Sequence, residues 1–137
     1  MKNQRLDIPV EEYASPILSF ATENMQIDEM FELMKENGFR HLPVLIDKKP
    51  VGMISSRDLA LVKELNRHFD LTAGDIMASD PFCVPFGTSL EDVAFQMSVR
   101  KIGSAIIVDK DGSADSIFTS VDGLNALVEI VRGEVDQ

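Results

Sequence analysis

The chain carries one pattern twice, 63 to 65 residues apart. An apolar run ending in Ser55-Ser56-Arg57-Asp58 is echoed by one ending in Thr119-Ser120-Val121-Asp122. Upstream, Ile27, Met30, Phe31 and Met34 recur as Leu90, Val93, Ala94 and Met97, and Ser15-Pro16 recurs as Asp80-Pro81. The slips between these offsets are the size of loop insertions. A unit this short cannot bury its apolar face alone and stacks against its twin. The repeat therefore limits the chain to two related half-domains, residues 8–68 and 69–134, and the cleft between such halves is a natural seat for a ligand.

Each copy reads strand, helix, strand, strand, helix. In the first, residues 17–20 have strand character. Ile27, Met30, Phe31 and Met34 then fall at i, i+3, i+4 and i+7, the apolar stripe of an amphipathic helix, which Asn37-Gly38 stops. Residues 42–46 and 51–54 are strands joined by the polar turn 47–50. A second helix from Ser56 turns Leu59, Ala60, Val62 and Leu65 to the core. In the second copy, Thr88-x-x-Glu91 is a capping-box pattern ahead of a helix with Leu90, Val93, Ala94 and Met97 on one face. Strands at 104–108 and 117–119 flank the turn 109–112, and Leu124, Leu127, Val128 and Val131 give the last helix its stripe. Thr72-x-x-Asp75 caps a short helical turn between the copies. Strands and helices interleaved over such short spans give an α/β (α+β) fold.

Charge and cysteine content narrow the function classes. The 13 basic and 23 acidic side chains leave −10, which disfavours nucleic acid, where affinity comes from neutralising phosphates. A small phosphorylated ligand needs only a few local donors and stays open. No apolar stretch reaches the roughly 20 residues of a membrane span, and the first seven residues have no signal-peptide core. The one cysteine, Cys83, rules out an intramolecular disulfide framework and fits a reducing cytoplasm. Its apolar surroundings suit an inert thiol better than a nucleophile. No Cys/His cluster offers a metal site, His68 has no partner at ligand spacing, and no catalytic acid, base or nucleophile is marked. Phosphate-binding glycine loops are absent too.

The hydroxyl-x-x-carboxylate pairs, Ser55/Asp58 and Thr119/Asp122, stand where a strand hands over to a helix. There a hydroxyl can cap the helix and leave backbone N–H groups facing an anion, while the Asp, one turn in, can accept from vicinal hydroxyls such as those of ribose. The same residues serve equally as ordinary caps with an acidic first turn. Finding the pair in both copies at the same strand end favours a shared site.

The ordered set Phe39-Arg40-His41-Leu42-Pro43-Val44, then residues 51–59, with Asp75-Ile76-Met77, Pro81, Val84, Pro85 and Thr119-x-x-Asp122 in the second copy, resembles the cystathionine-β-synthase (CBS) domain. Two in tandem form a Bateman module. The resemblance spans residues 8–131 and implies two β-α-β-β-α repeats packed sheet to sheet with pseudo-twofold symmetry. It also implies a non-catalytic regulatory module that binds AMP, ADP or ATP in the clefts between the repeats, with S-adenosylmethionine ranked behind them. The ligand-binding set it implies is Arg40, His41, Pro43, Ser55, Arg57, Asp58, Thr119 and Asp122. Ser55 and Thr119 would contact phosphate or ribose, Asp58 and Asp122 ribose hydroxyls, and Arg40 and His41 phosphates. A homodimer and a separate regulated protein are the implied partners.

The second copy departs from this pattern. Gly103-Ser104 replaces the basic pair, Ser113-Ala114-Asp115-Ser116 stands where the first copy has its glycine-containing strand, and Gly123 follows Asp122. Two unequal clefts are expected, with Arg100 and Lys101 the nearest cations to the second. Arg57, in a first helical turn, also suits a solvated or ion-paired role. The competing reading is a ligand-free dimerisation or interaction module whose repeated caps only hold helices.

Overall fold

The structure, a computed structural model, describes residues 7–66 and 70–134. His68 lies outside the described residues, as does the side chain of Leu65. The chain forms two compact units: residues 17–81, and residues 7–16 together with 82–134.

The first unit is built on a hairpin of β2 (His41–Ile46) and β3 (Lys49–Ser55). Helix α1 (Ile27–Asn37) precedes it, and Gly38 ends that helix at φ +69°, a left-handed conformation that glycine adopts without a side-chain clash. The hairpin turn is tighter than expected. Asp47 and Lys48 alone make it, both at positive φ, while Lys49 and Pro50 already belong to β3. Helix α2 (Ser56–Asn66) follows β3 without a break. After it come α3 (Ala73–Ile76) and β4 (Ala78–Ser79), which pairs antiparallel with β3. Met30, Met34, Leu42, Val44, Ile54 and Leu59 form the core. Ala60, placed on the inward face by the sequence pattern, is exposed.

The second unit has a four-stranded sheet in the order β1 (Ser15–Pro16), β7 (Ala114–Thr119), β6 (Ser104–Val108) and β5 (Cys83–Pro85). Only β5 and β6 run parallel. The turn at 109–112 forms as expected, with Asp109 accepting from the N–H groups of Asp111 and Ser113. The strand expected at 117–119 starts earlier, and residues 114–116 belong to β7 as well. Helix α4 (Leu90–Arg100) is capped by Ser89, whose hydroxyl accepts from Asp92 N. The expected cap, Thr88, instead donates its hydroxyl to the Pro85 carbonyl. Ala94 is exposed, and Val10, Val93, Ala105, Ile107 and Phe118 make the core.

Helix α5 (Ser120–Val131) reverses one expectation outright. Ala126 is its buried residue and Ile130 packs against the core, while Leu124 is 62%, Leu127 56% and Val131 76% exposed. The apolar stripe exists, but it faces away from the unit's own core.

The strand expected at 17–20 is absent, and its register explains why. In the second unit Ile106 N donates to the Phe82 carbonyl at 2.8 Å and holds β5 alongside β6. Ile106 pairs with Ile117, as Pro43 pairs with Met53. Pro43 has no N–H to donate, so its edge keeps only a parallel bridge, Ala21 to Val44. The register also re-pairs the repeat. Ser15-Pro16 sits against Ile117 and Ser116, and its counterpart is Ala78-Ser79 against Met53 and Gly52, not Asp80-Pro81.

Candidate functional site

The end of the β2–β3 hairpin gathers the first copy's polar residues. His41 and Ser55 are cross-strand partners. Ser56 N donates to the Arg40 carbonyl at 2.8 Å, which ties the basic pair to the first residue of α2. The Ser55 hydroxyl accepts from Asp58 N at 3.1 Å, as a helix cap does. Arg40, His41, Ser55 and Asp58 are thus brought together by one hairpin and the helix it feeds.

Electrostatics at this end are mixed. Burial pushes the His41 imidazole below its ordinary value, the neighbouring Arg40 charge adds to that, and Asp58 opposes it. His41 Nδ1 is buried without a hydrogen-bond partner, a costly state for a ring nitrogen. Among the described residues no hydrogen bond or ion pair reaches the Asp58 carboxylate or the Arg40 guanidinium, and both residues are exposed. The cluster can offer two cationic or donor groups, a helix N-terminus and an unengaged carboxylate, a set suited to a ligand with both an anionic group and hydroxyls.

Two further residues of the expected set lie on the same elements. Pro43 is buried in β2, where its carbonyl accepts from Ala21 N at 2.8 Å. Arg57 is exposed on the first turn of α2.

The second copy's pair is closed on itself. The Asp122 carboxylate accepts from Thr119 N at 2.8 Å and from the Thr119 hydroxyl at 3.1 Å, and Asp122 N donates back to that hydroxyl at 3.4 Å. Gly103 stands where Arg40 does, its carbonyl accepting from Ser120 N, and Ser104 pairs with Thr119 as His41 pairs with Ser55.

Beside Asp122 lies an open cleft of about 660 Å³, lined by Glu12, Tyr13, Ala14, Ser15, Asn125, Glu129 and Glu134 as well. The sequence reading missed it, because residues 12–15 and the last helix are distant in sequence and come together through tertiary contacts such as the pairing of β1 with β7. Tyr13 donates its hydroxyl to Glu129 at 3.1 Å. Desolvation, then the Glu129 bond and charge, raise the phenol above its ordinary value. Arg100, one of the two cations expected nearby, stacks over the Phe82 ring at 4.4 Å. Cys83 is partly buried and its thiol is pushed up by desolvation, which lowers its reactivity. No metal-ligand cluster and no membrane-length apolar helix occur among the described residues.

Residues 10–64 and 73–129 each match the CBS domain. The chain belongs to the CBS-domain family. A 17.7 kDa uncharacterized protein of Acidianus ambivalens is 29% identical over 96 residues, 68% of this chain and 58% of that protein. The chain spans less than two thirds of the length of the first curated relatives it matches. Among solved structures, CBSX2 in complex with AMP superposes with a TM-score of 0.76 at 29% identity, covering 90% of this chain and 98% of that one. The CBS domain pair of protein MJ0100, in complex with 5′-methylthioadenosine and S-adenosyl-L-methionine, gives a TM-score of 0.78 at 26% identity, covering 88% and 99%. The two repeats, two sheets and mixed α+β class are those of a CBS pair.

Proposed function

We propose that this CBS pair is a non-catalytic regulatory module, working in the cytoplasm, that binds an adenine nucleotide of the AMP, ADP or ATP class and reports its occupancy to a partner protein. The observation that carries this reading is the convergence of Arg40, His41, Ser55 and Asp58 at one hairpin end. Arg40 and the α2 N-terminus would take phosphate, and Asp58 the ribose hydroxyls. The adenosine-containing ligands of CBSX2 and of the MJ0100 pair support the ligand class. A ligand regulates only through unequal affinity for two conformations, so the nucleotide would favour one state of the module and of its partner surface.

Thermal unfolding of the full chain with AMP, ADP, ATP and S-adenosylmethionine tests this. A ligand at 100 times its Kd adds about 2.7 kcal/mol of stability. No shift with any of them, in a folded sample, rejects the reading.

The exposed apolar face of α5 supports a second role, in self-association. A second copy of the chain laid face to face would bury Leu124, Leu127 and Val131 from both partners. A dimer that forms while no nucleotide binds would favour the ligand-free interaction module instead.

A further inference from the structure

We propose that the chain binds one anionic nucleotide, in the copy that carries Arg40, and that Thr119–Asp122 is a helix cap and not a second ligand site. This deepens the functional reading above and rests on it. Three independent observations support it.

The first is the state of the two carboxylates. Asp122 is held by both the N–H and the hydroxyl of Thr119. An internal control exists in the same chain. The Asp75 carboxylate accepts from Thr72 N at 2.9 Å and from the Thr72 hydroxyl at 3.1 Å, at the start of the four-residue helix α3. The two Thr-x-x-Asp pairs make the same two carboxylate bonds, so the carboxylate of this motif turns back onto its own threonine. Ser55–Asp58 keeps only the bond from Asp58 N to the serine hydroxyl, and no hydrogen bond reaches its carboxylate among the described residues.

The second is the exchange of Arg40-His41 for Gly103-Ser104 at matching register. It removes the two side chains expected to meet a phosphate.

The third is the charge of the cleft beside Asp122. Its walls bring Glu12, Glu129 and Glu134 together with Asp122, and among the described residues no basic side chain lines it. A phosphate entering there meets like charge, which selects against it. Arg100, a cation expected near the second copy's pair, does not line the cleft and stacks on Phe82.

The chain provides its own probe of that cleft. Tyr13 lines it and is the single tyrosine, and there is no tryptophan. Titration calorimetry of the full chain with AMP, ADP and ATP should give one site per chain, with Tyr13 fluorescence unchanged at saturation. Asp58→Asn and Arg40→Ala should each weaken binding at least tenfold, and Asp122→Asn should leave Kd within twofold. Two nucleotides per chain, a Tyr13 response to any of them or to the cationic S-adenosylmethionine, or loss of binding in Asp122→Asn would overturn the proposal while leaving the functional reading standing. Absence of binding by every nucleotide would overturn both. Should Asp122→Asn fail to fold, stoichiometry and the Tyr13 signal of the unaltered chain still decide.

Discussion

Asp122 and Thr119 satisfy one another: the carboxylate accepts twice, from the threonine N–H and hydroxyl, and the threonine hydroxyl accepts from Asp122 N. The pair settles the open donors at the start of α5, which would otherwise lack partners. Asp122→Ala should therefore lower unfolding stability by about 1 kcal/mol, in the usual range for a lost cap. Urea unfolding followed by circular dichroism measures it. An unchanged midpoint would show that the cap contributes nothing.

His41 makes stability depend on pH, with a definite sign. Its folded value lies below the ordinary 6.5, for reasons of burial first and Arg40 second, against the pull of Asp58. The unfolded chain therefore takes up the proton first as pH falls. The contribution is fully present above pH 6.5 and is lost on acidification below it. His41→Gln should flatten the urea midpoint between pH 7 and pH 5 relative to the parent chain. Equal slopes in both would remove His41 as the source.

Gly52 and Met77 make a size-matched pair. A Cβ on Gly52 would stand 2.3 Å from Met77 Sδ and 2.9 Å from Met77 Cβ. Movement of the flexible tip alone cannot relieve the second contact. Gly52→Ala should cost about 1–3 kcal/mol, the range for overpacking a core, and adding Met77→Ala should recover much of it. A strictly additive double variant would refute the coupling. The other unit has small residues at both corresponding positions. Ser116, opposite Pro16, corresponds to Gly52, opposite Ser79, and Ala14 precedes its strand where Met77 precedes the other.

Leu124 tests the role of the α5 face. It is 62% exposed, so Leu124→Glu should change folding stability by no more than about 0.5 kcal/mol, as surface substitutions do. If the face joins two copies, the same change should convert a dimer to a monomer in sedimentation velocity. A parent chain that is already monomeric at high concentration would discard the dimer.

Much of this was legible in residue order. The period of the repeat, the two hairpins, the Gly38 stop and the Thr72–Asp75 cap are local, and each follows from the residues within a few positions of it. The clustering of Arg40, His41, Ser55 and Asp58 was legible too, because a short hairpin brings its two ends together whatever surrounds it. The failures share a different cause. Which face of α5 is buried, whether residues 17–20 pair, and which carboxylates share a cleft all depend on partners distant in sequence.

Pro43 shows where the boundary falls. Its missing N–H is written in the sequence, but the consequence depends on what lies opposite. Only the pairing of β6 with β5 reveals that this position must donate a hydrogen bond to complete the edge. The hydroxyl-x-x-carboxylate repeat is similar. Sequence alone determined that both copies would have the pair at a strand-to-helix junction. Spacing along the chain also closes the Thr119–Asp122 cap, three residues apart. The tertiary structure decided that Asp122 shares a cleft with Glu12, and that the charges of Arg40 and Asp58 both act on His41, because charge neighbours distant in sequence are set by long-range register and not by spacing along the chain.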